Sequence, residues 1–193
     1  MPTLKSVRLT EGDSTALLRV DSDGALLSYR ITAADYAALG APAPRAPLAP
    51  DTLEAIEAAA ARYTARARAF RMLAYSDNSE KALSRKLRAR GVTEDAAAAT
   101  VREMRERGYI REDEQAYRLV LSEANGKLRG PRRILAVLVA KGYAVGTVRA
   151  AIRRAEEEGE VDFEELAARV ISRRLGDGAG EEEKKKLLWK QGF

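Results

Sequence analysis

The chain has 193 residues, 46% of them hydrophobic and 33% charged, and carries a formal net charge of +5. It contains no Cys and no His, which excludes disulfides, thiol nucleophiles, imidazole bases and the usual zinc ligand sets. Charge is unevenly placed: between Arg66 and Arg154 there are 21 Lys and Arg against 10 Asp and Glu, a surplus of 11 that leaves the rest of the chain at −6. A basic middle between acidic flanks points to a polyanionic or acidic partner.

Residues 3–31 alternate with period two, with Val7 and Leu9, then Ala16, Leu18 and Val20, then Leu27, Tyr29 and Ile31 facing one way. Turn signals at Glu11–Asp13 and in "DSDG" at 21–24 separate these runs, so a three-stranded antiparallel meander is expected. "DSDG" resembles the start of a calcium loop, but the distal glutamate is missing, and a hairpin turn is the reading that fits. Thr32 and Asp35 cap a short helix ending near Gly40.

The segment "APAPRAPLAP" at 41–50 holds four of the six prolines and reads as a stiff, extended linker. Asp51 and Glu54 form a capping-box pattern ahead of a long helix that reaches about Ser76. The opening residues lack the apolar core of a signal peptide, and no apolar run is long enough to span a bilayer. A cytoplasmic location and no membrane contact are therefore expected.

From there the sequence repeats. Leu87-Arg-Ala-Arg-Gly91-Val92 matches Leu138-Val-Ala-Lys-Gly142-Tyr143 and then Leu188-Trp-Lys-Gln-Gly192-Phe193, at intervals of 51 and 50 residues. Gly91 to Gly108 and Gly142 to Gly159 are both 17 residues. A long period punctuated by glycine after helical patterns indicates a tandem array of three-helix units. The fold class is thus mainly α: tandem three-helix repeats in a curved array, with a small N-terminal antiparallel β meander.

The boundaries that follow are a meander with its short helix at 1–40, a Pro-rich linker at 41–50, and a first helical repeat with a long lead-in helix at 51–110. A second three-helix repeat spans 111–160, and a partial third spans 161–193. The first unit uses helices at about 65–76, 79–90 and 93–107, the second at about 112–127, 131–141 and 145–158.

No motif for chemistry survives scrutiny. "GKLRG" at 126–130 has neither the upstream glycine nor the following Ser or Thr of a phosphate-binding loop. The carboxylate clusters at 112–114, 156–158 and 181–183 read as solvated helix-face charge. No catalytic residue, no metal site and no cofactor is expected.

The basic residues are more specific. Lys81, Arg85 and Arg88 share one helix face; Arg132 occupies the Lys81 position of the next unit, and Lys141 and Arg153 match Arg90 and Arg102. Arg149, Arg153 and Arg154 add a second basic face. In "RGPRRILAVLVAKGY" (129–143), Gly130 and Pro131 start a helix, yet Arg129, Arg132 and Arg133 crowd the end where the dipole already places positive charge. That arrangement calls for an anion, and the expectation is one supplied from outside the chain. Tyr109 and Tyr143 are expected to pack between units.

The segments "LAYSDNSEKALSRKLRARG" (73–91), "MRERGYIREDEQAYRLV" (104–120) and "GPRRILAVLVAKGY" (130–143) together resemble the bacterial RecX family, regulators of the RecA recombinase. The resemblance covers about 65–193, and the meander looks like the β element of some members. It implies a non-enzymatic protein that lodges in the groove of a RecA filament on DNA and inhibits recombinase and ATPase activity. The partners so implied are the RecA filament and single- or double-stranded DNA, met weakly or through the filament, with the chain itself a monomer.

The ten basic residues Lys81, Arg85, Arg88, Arg129, Arg132, Arg133, Lys141, Arg149, Arg153 and Arg154 are the candidate contacts. The chain departs from the family at Ser76, Asp77 and Asn78, where members often carry arginines. It departs again in "EEEKKKLLWKQGF", whose Leu187, Leu188 and Trp189 are expected to be exposed or frayed. Two other readings stand beside this one: an independent DNA-binding module or transcription regulator using helices near 131–141 or 145–155, and a protein-binding scaffold recruited through the meander.

Overall fold

The computed structural model describes residues 1–10, 14–175 and 179–193. The turn expected at Glu11–Asp13 lies outside them. The chain divides into two compact units, one formed by Met1–Tyr75 and Ser84–Glu103, the other by Ser76–Leu83 and Met104–Phe193.

In the first unit, β1 (Thr3–Thr10), β2 (Thr15–Ser22) and β3 (Ala25–Thr32) form the expected antiparallel meander in the order β1-β2-β3. Asp23 and Gly24 turn the β2–β3 hairpin with φ of 52° and 84°. Positive φ at both central residues matches the right-handed twist of the flanking strands, which is why Asp-Gly is favoured there. The alternating apolar residues Leu4, Ala16, Leu18, Val20 and Ile31 are buried on one face, against Ile56 and Ala59 of α2 (Pro50–Tyr75). Thr32 caps α1 (Ala33–Ala38) by accepting the Asp35 N–H at 3.0 Å.

The Pro-rich run is held against β1 through residues 45–48 and does not act as a free spacer. Leu4 exchanges backbone hydrogen bonds with this segment, donating to Ala46 O at 3.0 Å and accepting from Arg45 N at 2.6 Å. Leu48 N–H donates to Pro2 O at 2.8 Å, and the Leu48 side chain is 1% exposed within the sheet core. Proline cannot donate along a ladder, but covering the open edge of β1 needs few donors. In the same unit Arg66 of α2 pairs with Glu103 at 2.9 Å, and Arg68 donates to the Arg90 carbonyl at 2.6 Å. Glu103 belongs to α4 (Glu94–Glu106), which follows α3 (Glu80–Arg88).

In the second unit, the expected helix at 112–127 is interrupted. α5 (Glu112–Leu121) passes into a π-helical turn at Ser122–Gly126, followed by α6 (Pro131–Ala140), α7 (Val145–Glu157), α8 (Phe163–Arg174) and α9 (Glu181–Gln191). Ala116, Val120, Ile134, Leu138, Val148, Ile152 and Leu166 form its core. Tyr143 is buried there, its hydroxyl 3.3 Å from Gln115 Oε1, whereas Tyr109 is half exposed. Burial also pushes the Tyr143 hydroxyl up to about 12, so it stays a neutral donor at physiological pH.

The repeat has a structural counterpart in this unit: the start of one repeat's second helix seats on the glycine end of the next repeat's second helix. Ser79, at the start of α3, donates its hydroxyl to the Lys141 carbonyl at 2.9 Å and accepts the Ala82 N–H at 3.2 Å. At the matching place one repeat on, Gly130 N–H donates to the Gln191 carbonyl at 2.9 Å and Arg132 N–H to the Gly192 carbonyl at 3.1 Å. Gly142 and Gly192 end α6 and α9 with φ of 102° and 91°, and a side chain at either would collide with the helix start seated on it. Both joints place the carbonyl end of one helix dipole against the N–H end of another, a favourable alignment that satisfies otherwise orphaned donors. The C-terminal segment is therefore anchored: Leu187 and Leu188 are half-buried, and Phe193 packs edge-on against Phe163 with ring centres 6.4 Å apart. Trp189 is exposed, as expected.

Candidate polyanion interface

The ten basic residues fall into two groups, those spent within the fold and those left open. In the first unit, Arg88 pairs with Glu94 at 3.4 Å, and Arg85 is exposed and makes no ion pair among the described residues. In the second unit the cations around the start of α6 are nearly all engaged. Arg129 is paired with Glu123, and Lys127 and Lys141 approach the same carboxylate at 2.7 and 3.9 Å. Glu123 is 1% exposed, carried inward by the π turn. Burial alone would raise its pKa, but the Lys127 hydrogen bond and the charges of Arg129, Lys127 and Lys141 outweigh it and hold the carboxyl below its ordinary value.

The arginines at the start of α6 are thus answered from inside the chain, which corrects the expectation of an external anion. Arg132 donates to the Phe193 carbonyl oxygen, and its guanidinium carbon lies 4.1 Å from the centre of the Trp189 ring. Arg133 donates to the Lys190 carbonyl at 3.3 Å. The carbonyl end of α9 supplies the negative potential that no Asp or Glu between 123 and 156 could supply.

α7 behaves differently. Arg154 turns back to Glu114 at 3.0 Å and Glu158 at 2.8 Å and lies over the Tyr117 ring, so it is also spent. Arg149 and Arg153, four residues apart on one exposed helix face, make no ion pair among the described residues, and neither does Lys81. The sequence singled out all ten cations alike. It missed the four carboxylates that consume part of them, Glu94, Glu114, Glu123 and Glu158. Only the i,i+4 spacing of Glu123 to Lys127 and of Arg154 to Glu158 hinted at two of these.

The fold and these surfaces define a tandem three-helix-repeat protein that presents open basic helix faces. Residues 65–107 match the family model described as "RecX, first three-helix domain". The chain is 34% identical over 131 residues to a regulatory protein RecX of Stenotrophomonas maltophilia strain K279a, spanning 65% of this chain and 77% of that protein. It is also 34% identical over 110 residues to the RecX of strain R551-3, spanning 57% of this chain and 64% of that protein. A crystal structure of regulatory protein RecX superimposes with a TM-score of 0.76, covering 100% of this chain and 95% of that one at 18% identity. RecX from Lactobacillus salivarius superimposes with a TM-score of 0.57 over 69% of this chain and 88% of its own, at 22% identity. The chain belongs to the RecX family of regulatory proteins.

Proposed function

We propose that this chain, as a cytoplasmic monomer, binds recombinase filaments on DNA and lowers their ATP turnover and strand exchange without chemistry of its own. The observation that carries this is the α7 face: Arg149 and Arg153 stand exposed and, among the described residues, without an ion pair, while neighbouring cations are absorbed by Glu114, Glu123 and Glu158. Holding open charge in reserve beside a surface that could neutralise it fits a face kept for an anionic partner. Binding that favours one filament conformation shifts its equilibrium by the difference in affinity for the two states, which is sufficient for inhibition.

The test is ATPase and filament assembly of a RecA-type recombinase on single-stranded DNA, with wild type and with Arg149→Ala/Arg153→Ala. Inhibition by wild type and its loss by about tenfold or more in the double variant is the expected result. No effect of wild type at several-fold excess ends this reading. Inhibition retained in full by the double variant removes α7 as the contact. Binding of naked DNA with no effect on the recombinase supports the independent DNA-binding module instead.

A further inference from the structure

The meander has two faces, and only one is used for its core. Register places Arg8 of β1 opposite Leu17 of β2 and Leu17 opposite Arg30 of β3, while Ser6, Arg19 and Ser28 form the adjacent row. Leu17 alternates with the buried Ala16 and Leu18, so both rows lie on the face turned away from α2. Arg8, Arg19 and Arg30 are all exposed and, among the described residues, form no ion pair. The one described carboxylate on this face, Asp21, is taken by Lys5 at 3.1 Å.

Arg30 also borders a groove of about 540 Å³ that Arg68 and Arg90 line, whose one carboxylate, Glu57, accepts the Tyr29 hydroxyl at 2.8 Å. Positive charge therefore continues from the sheet face around the β3 edge, with Asp21 and Glu57 already engaged.

We propose that this face is a second nucleic-acid-binding surface that grips the phosphate backbone of duplex DNA without reading sequence. It shares no residue with the α7 face, and its test does not depend on any recombinase. Three arginines on three adjacent strands, about 10 Å apart at the outer pair, splay to several phosphates at once. A solvated face kept only for solubility intersperses both signs evenly, whereas this one sets three arginines beside a single described carboxylate, Asp21, that Lys5 engages. The chemistry also decides against a single-stranded ligand. Tyr29 is the one aromatic on the three strands and lies on the core side, so no ring is offered for bases to stack on.

The experiment is fluorescence anisotropy of a labelled mixed-sequence duplex with the full chain, across roughly 50–200 mM salt. It compares wild type, Arg8→Ser/Arg19→Ser/Arg30→Ser, and a charge-matched control, Arg169→Ser/Arg173→Ser/Arg174→Ser, on exposed positions of α8. Circular dichroism establishes that each variant is folded. Wild type is expected to bind duplex more tightly than a single strand of equal length. The sheet variant is expected to lose at least tenfold in affinity and about 2.7 units of the log–log salt slope, about 0.9 for each phosphate contact removed. The control is expected to change neither by as much. Unchanged affinity and slope in the sheet variant overturns the proposal, as does an equal loss in the control, which would make net charge the cause. Loss of recombinase inhibition with duplex binding intact also overturns it, because the face would then meet protein.

Discussion

A β-carbon placed on Gly130 would stand 2.5 Å from the carbonyl carbon of Gly192. The start of α6 and the end of α9 thus meet backbone to backbone, with Gly130 N–H donating to Gln191 O. Gly130→Ala is expected to destabilise this joint by about 1–3 kcal/mol, since neither backbone can yield without breaking the paired hydrogen bonds. Hydrogen exchange should then show lost protection at the amides of residues 130 and 132. Gly146→Ala is the matched control: a β-carbon there meets open space within α7, so roughly 0.5–1 kcal/mol of stabilisation is expected from helix propensity.

Glu123 is the buried hub of a cluster of three cations. Glu123→Gln leaves Arg129, Lys127 and Lys141 near one another without their counter-charge, and a loss of about 2–3 kcal/mol is expected in denaturant unfolding. The sign of the pH dependence follows from the carboxyl being held below its ordinary value. Its contribution is present above the unfolded-state pKa and is lost as pH falls through the folded one. Wild type should therefore lose stability in that acid window, and Glu123→Gln should show a flatter limb there. An equally steep limb in the variant would assign the acid sensitivity to other carboxylates.

Much of this architecture is legible from the sequence, for reasons tied to particular residues. The meander follows from strict alternation and from Asp23-Gly24, and the repeat from glycines whose spacing matches helix ends. The basic residues were legible as a set. What the sequence could not show is which of them remain open, because that depends on long-range pairs such as Arg154 with Glu114 and on the π turn that carries Glu123 inward. A local helical pattern at 112–127 gives no sign of the extra residue per turn at 122–126. The contact of Gly130 with Gly192 is likewise a tertiary fact, 62 residues apart in sequence.

Leu48 tests whether the Pro-rich run is a spacer or a part of the fold. Its side chain is 1% exposed and packs with the sheet core. Leu48→Ala is expected to cost about 2–4 kcal/mol, the range for a buried leucine whose cavity relaxes only in part. A passive linker would tolerate the change within about 0.5 kcal/mol. Limited proteolysis gives a second readout, since loosening 41–50 from β1 should open Arg45 to trypsin in the variant before wild type is cut.

Arg132 and Trp189 provide the last prediction, and they separate a structural arginine from a binding one. The guanidinium sits 4.1 Å from the ring centre while donating to the Phe193 carbonyl oxygen, and Trp189, the only tryptophan, is 72% exposed. Arg132→Ala should lower stability by about 0.5–1 kcal/mol and shift tryptophan fluorescence, because the cation above the ring is gone. Arg132→Lys should restore the charge and only part of the effect, as an ammonium lacks the planar fork that serves ring and carbonyl together. Arg149→Ala/Arg153→Ala should leave both readouts where they are, since both side chains are exposed and, among the described residues, make no ion pair. If Arg132→Ala weakens recombinase inhibition in proportion to its loss of stability, while the α7 pair weakens it at constant stability, α7 is the contact and Arg132 holds the end of the repeat in place. Equal loss of inhibition from Arg132→Ala with stability and fluorescence unchanged would instead free Arg132 from its internal role.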